Sequence, residues 1–201
     1  MTDDQSTLAN FLDAVAARQP TPGGGAVAAA VGALACAIGE MTLNYSVGKK
    51  GLEPQQAELT DALAQMHRAR RLFIQLLLED QLAYDALSTA NKSSDASAKS
   101  AALLTAIRVP QGIASTAAAV LEQARRVAPI ANRWLLSDLV VCVELAMATV
   151  RAAVCNVRVN LGQVTDPAER SKLTRWAEDI TARSVEIVRE TMPRIWQRIE
   201  S

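Results

Sequence analysis

The 201-residue chain carries 21 basic and 21 acidic residues, giving zero net charge and a pI near 6.6. That balance excludes an electrostatic nucleic-acid binder, which needs a basic footprint. One His and three Cys without a CxxC pair offer no zinc site and no disulfide framework, so the chemistry falls to carboxylates, amides, lysines and backbone.

Half of the residues are apolar and 37 are Ala, while 3% are aromatic. β-Branched alternation never persists, and no Asn-Gly or Asp-Gly hairpin turn occurs. The expected fold is therefore all-α: a single-domain bundle of long, Ala-rich helices over residues 1–201. A first helix is expected from about Thr7 to Arg18, with Leu8, Phe11, Leu12 and Val15 on one face. The run from Gln19 to Gly25, rich in Pro and Gly, ends it. A second helix runs from about Gly25 to Tyr45 and stops near Val47-Gly48, where Gly suits a C-cap.

A third, Leu-rich helix follows Pro54 and reaches about Ala90. The small polar stretch Ser88–Ser100 is expected to be mobile. Helices are then expected over Ala101–Arg108, Pro110–Ala128 and Trp134–Leu161. The last helix starts with Asp166 as N-cap, Pro167 at the first position and Glu169 in the first turn, and is expected to bend at Pro193. The apolar run Ala26–Ile38 is short for a bilayer span, and Trp134–Val154 is interrupted by Asp138, Glu144 and Arg151. No leader segment is apparent. The expectation is a chain with no membrane contact, in a reducing cytoplasm, its cysteines free and buried.

Gly23, Gly25 and Ala28 match a G-x-G-x-x-A spacing, but a helix precedes them where a dinucleotide motif needs a strand. Consecutive glycines ahead of a helix let backbone N–H groups converge on an anion or polar ring; from the residues alone a tight helix–helix turn is the favoured explanation. Within the second helix, Gly25, Ala29, Gly32, Cys36 and Gly39 form a stripe of tiny side chains. Since Gly inside a helix costs about 1 kcal/mol relative to Ala, the stripe implies close packing, within the chain or across a dimer.

On the third helix Phe73, Leu77, Asp80, Tyr84 and Leu87 form one seam, with Asp80 in its middle. A carboxylate there is desolvated and its pKa rises, which suits acid–base work; a structural bridge to another helix is the alternative. Glu79 points off the seam. On the Trp134–Leu161 helix, Asp138, Thr149, Asn156 and Asn160 share a face, with Glu144, Arg151 and Arg158 opposite. Asn156 and Asn160 lie one turn apart, whereas Asp138 is about 27 Å along the axis from Asn156. Helix–helix hydrogen bonds or a ligand would satisfy these amides. Lys49 and Lys50 follow the second helix, where cations meet its negative end or anchor substrate carboxylates. His67 lies among polar surface residues and is not read as catalytic.

The segments Phe11-Leu12, Pro20-Thr21-Pro22-Gly23-Gly24-Gly25, Gly48-Lys49-Lys50, Asp80-x-x-Ala83-Tyr84, Ser137-Asp138 and Asn156-Val157-Arg158-Val159-Asn160 resemble, in order, those of the cyclodeaminase/cyclohydrolase family. That family includes the C-terminal domain of formiminotransferase-cyclodeaminase and stand-alone methenyltetrahydrofolate cyclohydrolases. The resemblance implies an all-helical homodimer binding a tetrahydrofolate derivative as substrate near the subunit interface, with no permanently bound cofactor and no metal. It implies Asp80 as the catalytic residue. It places Pro22, Gly23, Gly24, Gly25, Lys49, Lys50, Tyr84, Asp138, Asn156 and Asn160 along the folate cleft. After Tyr84 the family continues into a Leu-Pro segment, where this chain has Asn91-Lys92-Ser93-Ser94.

The implied activity is hydration of 5,10-methenyltetrahydrofolate to 10-formyltetrahydrofolate. Cyclodeamination of 5-formiminotetrahydrofolate with release of ammonia is the alternative. A non-catalytic folate-binding dimer and a purely structural role for the buried polar residues are the others.

Overall fold

Alanine content shapes the architecture, because small side chains let helices pack closely. The computed structural model describes residues 8–201, so the expected helix start at Thr7 lies outside the described residues. Among those described there is no strand. The helices are α1 (Leu8–Ala16), α2 (Gly24–Asn44), α3 (Gln56–Asn91), α4 (Ala96–Val127), α5 (Leu136–Leu161) and α6 (Pro167–Glu200), with 3-10 turns at Glu53–Gln55 and Arg133–Leu135. The chain is an all-α bundle, as its composition implies.

Four helices form the bundle proper: α2 packs on α3 and α5, α4 packs on the same two, and α6 lies across α4 and α5. The glycine stripe sets the α2–α3 spacing. A Cβ on Gly32 would lie 2.6 Å from Phe73 Cζ, one on Gly39 would lie 3.4 Å from Met66 Sδ, and one on Gly25 would overlap the Asp80 carboxylate. Residue numbers rise by seven along α2 as they fall by seven along α3. The two helices therefore run antiparallel in a heptad register, and the stripe serves packing within the chain. Gly24 beside Asn156 and Gly39 beside Cys142 show that α5 is antiparallel to α2 as well.

Two elements differ from the sequence expectation. Ser88–Ser100 is mostly helical: α3 runs to Asn91, and α4 begins at Ala96 behind Asp95, whose carboxylate accepts from the Ser97 and Ala98 N–H groups. The polar residues there mark a short turn with an N-cap. Pro110 was expected to separate two helices, yet α4 passes straight through it. Proline lacks the N–H that would bond the Ala106 carbonyl, and the Asn160 side-chain amide reaches that carbonyl from α5 at 3.5 Å.

Other boundaries follow local chemistry. Asp166 caps α6 through the Ala168 N–H, with Pro167 behind it, and α6 continues past Pro193. α2 ends at Asn44, and the chain turns through Gly48 and Gly51, at φ of +73° and +91°, conformations that L side chains resist. Lys49 sits between them and donates to Asn132 Oδ1. Asn132 in turn donates its backbone N–H to the Ser46 hydroxyl oxygen and its Nδ2 to the Tyr45 carbonyl. These bonds tie the end of α2 to the α4–α5 connection.

The expectation that the first apolar run is too short for a bilayer does not survive the helix lengths. Helices Gly24–Asn44, Ala96–Val127 and Arg133–Leu161 are each long and apolar enough, by length and composition, to cross a membrane. In the fold, 50%, 44% and 50% of the apolar 18-residue window of each are buried against neighbouring helices. The rest faces outward.

Candidate active site

Antiparallel packing gathers four helix ends at one pole of the bundle: the start of α2, the last third of α3, the first half of α4 and the end of α5. Between them lies a cleft of about 690 Å³, lined by Gly23, Gly24, Gly25, Asp80, Tyr84, Asn156 and Asn160 among others. Residues from separate parts of the sequence are thus brought together: the glycine run, the seam carboxylate with its tyrosine, and the asparagine pair. Pro22 lies beside this lining in the cis Thr21–Pro22 peptide.

Asp80 is half-buried. Desolvation raises its pKa from the ordinary carboxylate value, and a hydrogen bond from the Ala26 backbone N–H lowers it; burial wins. The carboxylate occupies the space that any side chain at position 25 would need, which is the physical reason for Gly25. The cleft therefore holds an acid whose proton affinity is moved toward neutrality, at the positive end of α2. Glu79, next to it, is exposed.

The two asparagines are oriented by their own helix. Asn156 Nδ2 donates to the Ala152 carbonyl at 3.1 Å, and Asn160 Nδ2 donates to the Asn156 carbonyl at 3.1 Å. Since a carbonyl only accepts, the amide nitrogens face the backbone. Both Oδ1 atoms are left as acceptors for the cleft, and that of Asn156 lies over Gly24. At the start of α2 the Val27 N–H returns to the Gly23 carbonyl and the Ala26 N–H goes to Asp80. The Gly24 and Gly25 N–H groups remain as donors. A ligand here meets amide acceptors, backbone donors and one carboxylate.

Lys49, Lys50 and Asp138 are not brought to this cleft within the chain. Lys49 and Lys50 follow the far end of α2, roughly 30 Å from Gly24, and Asp138 is in the first turn of α5 at that same far pole. Thr149, placed on the Asn156 face by periodicity, is buried and bonds the Leu145 carbonyl at 2.8 Å. The cleft also includes Ser88 and Gln163, which the sequence reading did not single out, and Asn91 and Lys92, which it noted only as a departure from the family pattern. Helical spacing carried the signal: Gln163 follows Asn156 and Asn160 at seven and three residues, and Ser88 and Asn91 follow Tyr84 at four and seven. Among the described residues no three His, Cys, Asp or Glu side chains gather as a metal site.

The family described as formiminotransferase-cyclodeaminase matches residues 7–179. The methenyltetrahydrofolate cyclohydrolase of Methylorubrum extorquens is 33% identical over 185 residues, which is 88% of this chain and 89% of that protein. The formimidoyltransferase-cyclodeaminase of Sus scrofa is 29% identical over 175 residues, which is 83% of this chain and 32% of that longer protein. The crystal structure of formiminotetrahydrofolate cyclodeaminase from Thermotoga maritima matches with a TM-score of 0.90 and 30% identity, covering 98% of this chain and 96% of that one.

Proposed function

The chain belongs to the formiminotransferase-cyclodeaminase family, and we propose that within it the chain is a methenyltetrahydrofolate cyclohydrolase with Asp80 as its acid–base residue. The observation that carries this reading is the Asp80 carboxylate, half-buried with a raised pKa, in a cleft whose other polar groups suit a pterin. A pterin edge presents a carbonyl beside ring N–H and amino donors. The Gly24 and Gly25 N–H groups complement the carbonyl, and the Asn156 and Asn160 Oδ1 atoms complement the donors.

The chemistry follows from the substrate. The methenyl carbon between N5 and N10 is part of a cationic amidinium, so an ionised Asp80 attracts it and holds a water against it. Asp80 takes a proton from that water as the oxygen bonds to carbon and the C=N pair returns to nitrogen. The protonated Asp80 then gives its proton to N5 as the C–N5 bond breaks and the hydroxyl becomes the formyl carbonyl, its proton leaving to solvent. A pKa above the ordinary carboxylate value serves the second step, because the same group must act as an acid. The cleft residues make this reaction without a permanently held cofactor.

A second reading, cyclodeamination, is favoured by the structural likeness to the Thermotoga maritima protein. There Asp80 protonates the amine that leaves as ammonia while the same ring closes. One protein batch tests both: loss of methenyl absorbance above the spontaneous rate is expected, with no ammonia from the formimino derivative. Ammonia release without hydrolysis would assign the second activity, and tight folate binding with neither would leave a binding protein.

We also propose a homodimer. α1 buries none of its residues and exposes Leu8 and Leu12. The outward face of α2 is itself apolar, with Val31, Leu34, Ala37, Ile38 and Met41 exposed or half-buried. On α3, Ile74, Leu78 and Leu82 are exposed at four-residue steps. Exposed apolar residues gathered along helix faces in this way mark an interaction surface. An antiparallel pairing of two α2 faces sets one copy's Lys49–Lys50 end beside the other's glycine run, the route by which Lys49, Lys50 and Asp138 reach a folate. Sedimentation is expected to give a dimer, and Leu34→Glu a folded monomer; a monomeric wild type would end this proposal. Cys36 and Cys142 are buried, Cys142 with its thiol pushed up to about 12 by burial, while Cys155 is exposed, against the expectation of three buried thiols. Inert thiols of this kind fit a reducing cytoplasm, and the half-buried apolar helices fit a bundle that needs no bilayer.

A further inference from the structure

Proline is the residue most costly to the middle of a helix, and α4 carries one at Pro110, buried, with helix on both sides of it. Its ring nitrogen has no proton, so the Ala106 carbonyl one turn back lacks the partner that a helix ordinarily supplies. Ala106 and Pro110 both line the cleft, and so does Asn160 on α5. Asn160 Nδ2 reaches the Ala106 carbonyl at 3.5 Å while it donates to the Asn156 carbonyl at 3.1 Å. The two acceptors differ in need. The Asn156 carbonyl is already met inside α5 by the backbone N–H four residues on, whereas the Ala106 carbonyl has no such donor.

We propose that Pro110 is a positioning residue for this cleft: by withholding an N–H it leaves the Ala106 carbonyl to hold the Asn160 amide nitrogen, and so turns Asn160 Oδ1 toward the ligand. A flipped amide would set Oδ1 against two carbonyl oxygens, where it has nothing to accept. An N–H at position 110 would draw the Ala106 carbonyl back into α4, and Asn160 would then be held by α5 alone. Asn156 shows that simpler arrangement, its Nδ2 donating to the Ala152 carbonyl on its own helix. The proline thus makes one amide of the pair a tie between α4 and α5, the two helices that wall this side of the cleft. A fixed acceptor selects a ligand that presents an N–H at that point, as the amino and ring N–H edge of a pterin does, over one that presents a carbonyl. The pterin rests on the folate reading above; the tie between Pro110 and Asn160 does not.

Two double-mutant cycles test this. In methenyltetrahydrofolate hydrolysis, Pro110→Ala is expected to raise KM about fivefold, the worth of one hydrogen bond, with kcat within about twofold because Asp80 is untouched. Asn160→Ala should raise KM at least as far, and adding Pro110→Ala to it should change KM by less than about twofold. Lactic acid at position 110 puts an ester oxygen where alanine has its N–H, which separates the missing proton from the ring. That variant should keep KM within about twofold of wild type. The second cycle reads Tm and needs no turnover. Asn160→Ala should lower Tm by about 3 °C in the wild-type background, where it strips the Ala106 carbonyl of its donor, and by less than half as much beside Pro110→Ala. Independent KM effects of the two substitutions, or a lactic acid variant that behaves as Pro110→Ala does, would overturn the positioning role while sparing the cyclohydrolase reading. Equal Tm losses in both backgrounds would overturn it whatever the activity. Coupled Tm losses in a protein without folate turnover would uphold the tie between Pro110 and Asn160 and refute the catalytic reading.

Discussion

Replacing Asp80 with Asn is expected to lower kcat by about 10²–10⁴-fold and to raise KM, since the charge that attracts the cationic substrate is lost, with the fold intact. Asparagine keeps the shape and can still accept from the Ala26 N–H that holds Asp80, but it neither takes a proton from water nor returns one to N5. The same loss is expected of Gly25→Ala, because its methyl group would overlap the Asp80 carboxylate and force it off Ala26. A full-rate Asp80→Asn enzyme would remove this residue from the mechanism. Stability should move the other way. Burial raises the Asp80 pKa in the folded state, so ionising it at neutral pH costs the native protein something that Asn does not. Asp80→Asn is therefore expected to melt above wild type at neutral pH. The gap closes as pH falls through the raised pKa and vanishes below the unfolded-chain value of about 3.9. A gap independent of pH would mean that the carboxylate is not desolvated.

Gly32→Leu is expected to have the largest effect on stability. Gly32 is buried, and even a single methyl there would stand 2.6 Å from the ring of Phe73, itself fully buried. Four carbons cannot be seated unless α3 leaves α2. Overpacking costs about 1–3 kcal/mol when the core adjusts, and this site has helix backbone on one side and an aromatic ring on the other. A loss of at least about 3 kcal/mol is expected, which for a chain of this size lowers Tm by roughly 6–12 °C. Thermal melts followed by circular dichroism check it. An unchanged Tm and oligomer size would show that the glycine stripe does not set the helix spacing.

These two residues also show what the sequence makes legible. Periodicity found the stripe and the Phe73–Leu87 seam because each lies on one helix, where a spacing of three or four residues is a position in space. It found Asn156 and Asn160 as a pair for the same reason. It did not pair the stripe with the seam, since nothing in either run says which partner it meets. Lys49 and Lys50 illustrate the cost: adjacency in a family pattern is not adjacency in a chain, and the up-down order of the helices sends them to the opposite pole. Pro110 misled because proline's rule is local, whereas the group that meets the freed Ala106 carbonyl, Asn160, comes from another helix. Ser88–Ser100 misled because its composition is that of a loop, and a single aspartate cap turns most of it into helix.

The heptad pairing of α2 with α3 has a mechanical consequence for the site. Asp80 is the last of three teeth, after Met66 and Phe73, that mesh with Gly39, Gly32 and Gly25. Its position along the cleft is thus indexed by the two core teeth, as a gear wheel is by its neighbours, and it cannot drift by a fraction of a turn while they stay engaged. Whatever opens to admit a folate must do so at parts outside that mesh: the segment from Pro20 to Gly23 on one rim, and the turn from Lys92 to Asp95 on the other. An opening at either rim would leave the Asp80 carboxylate in place.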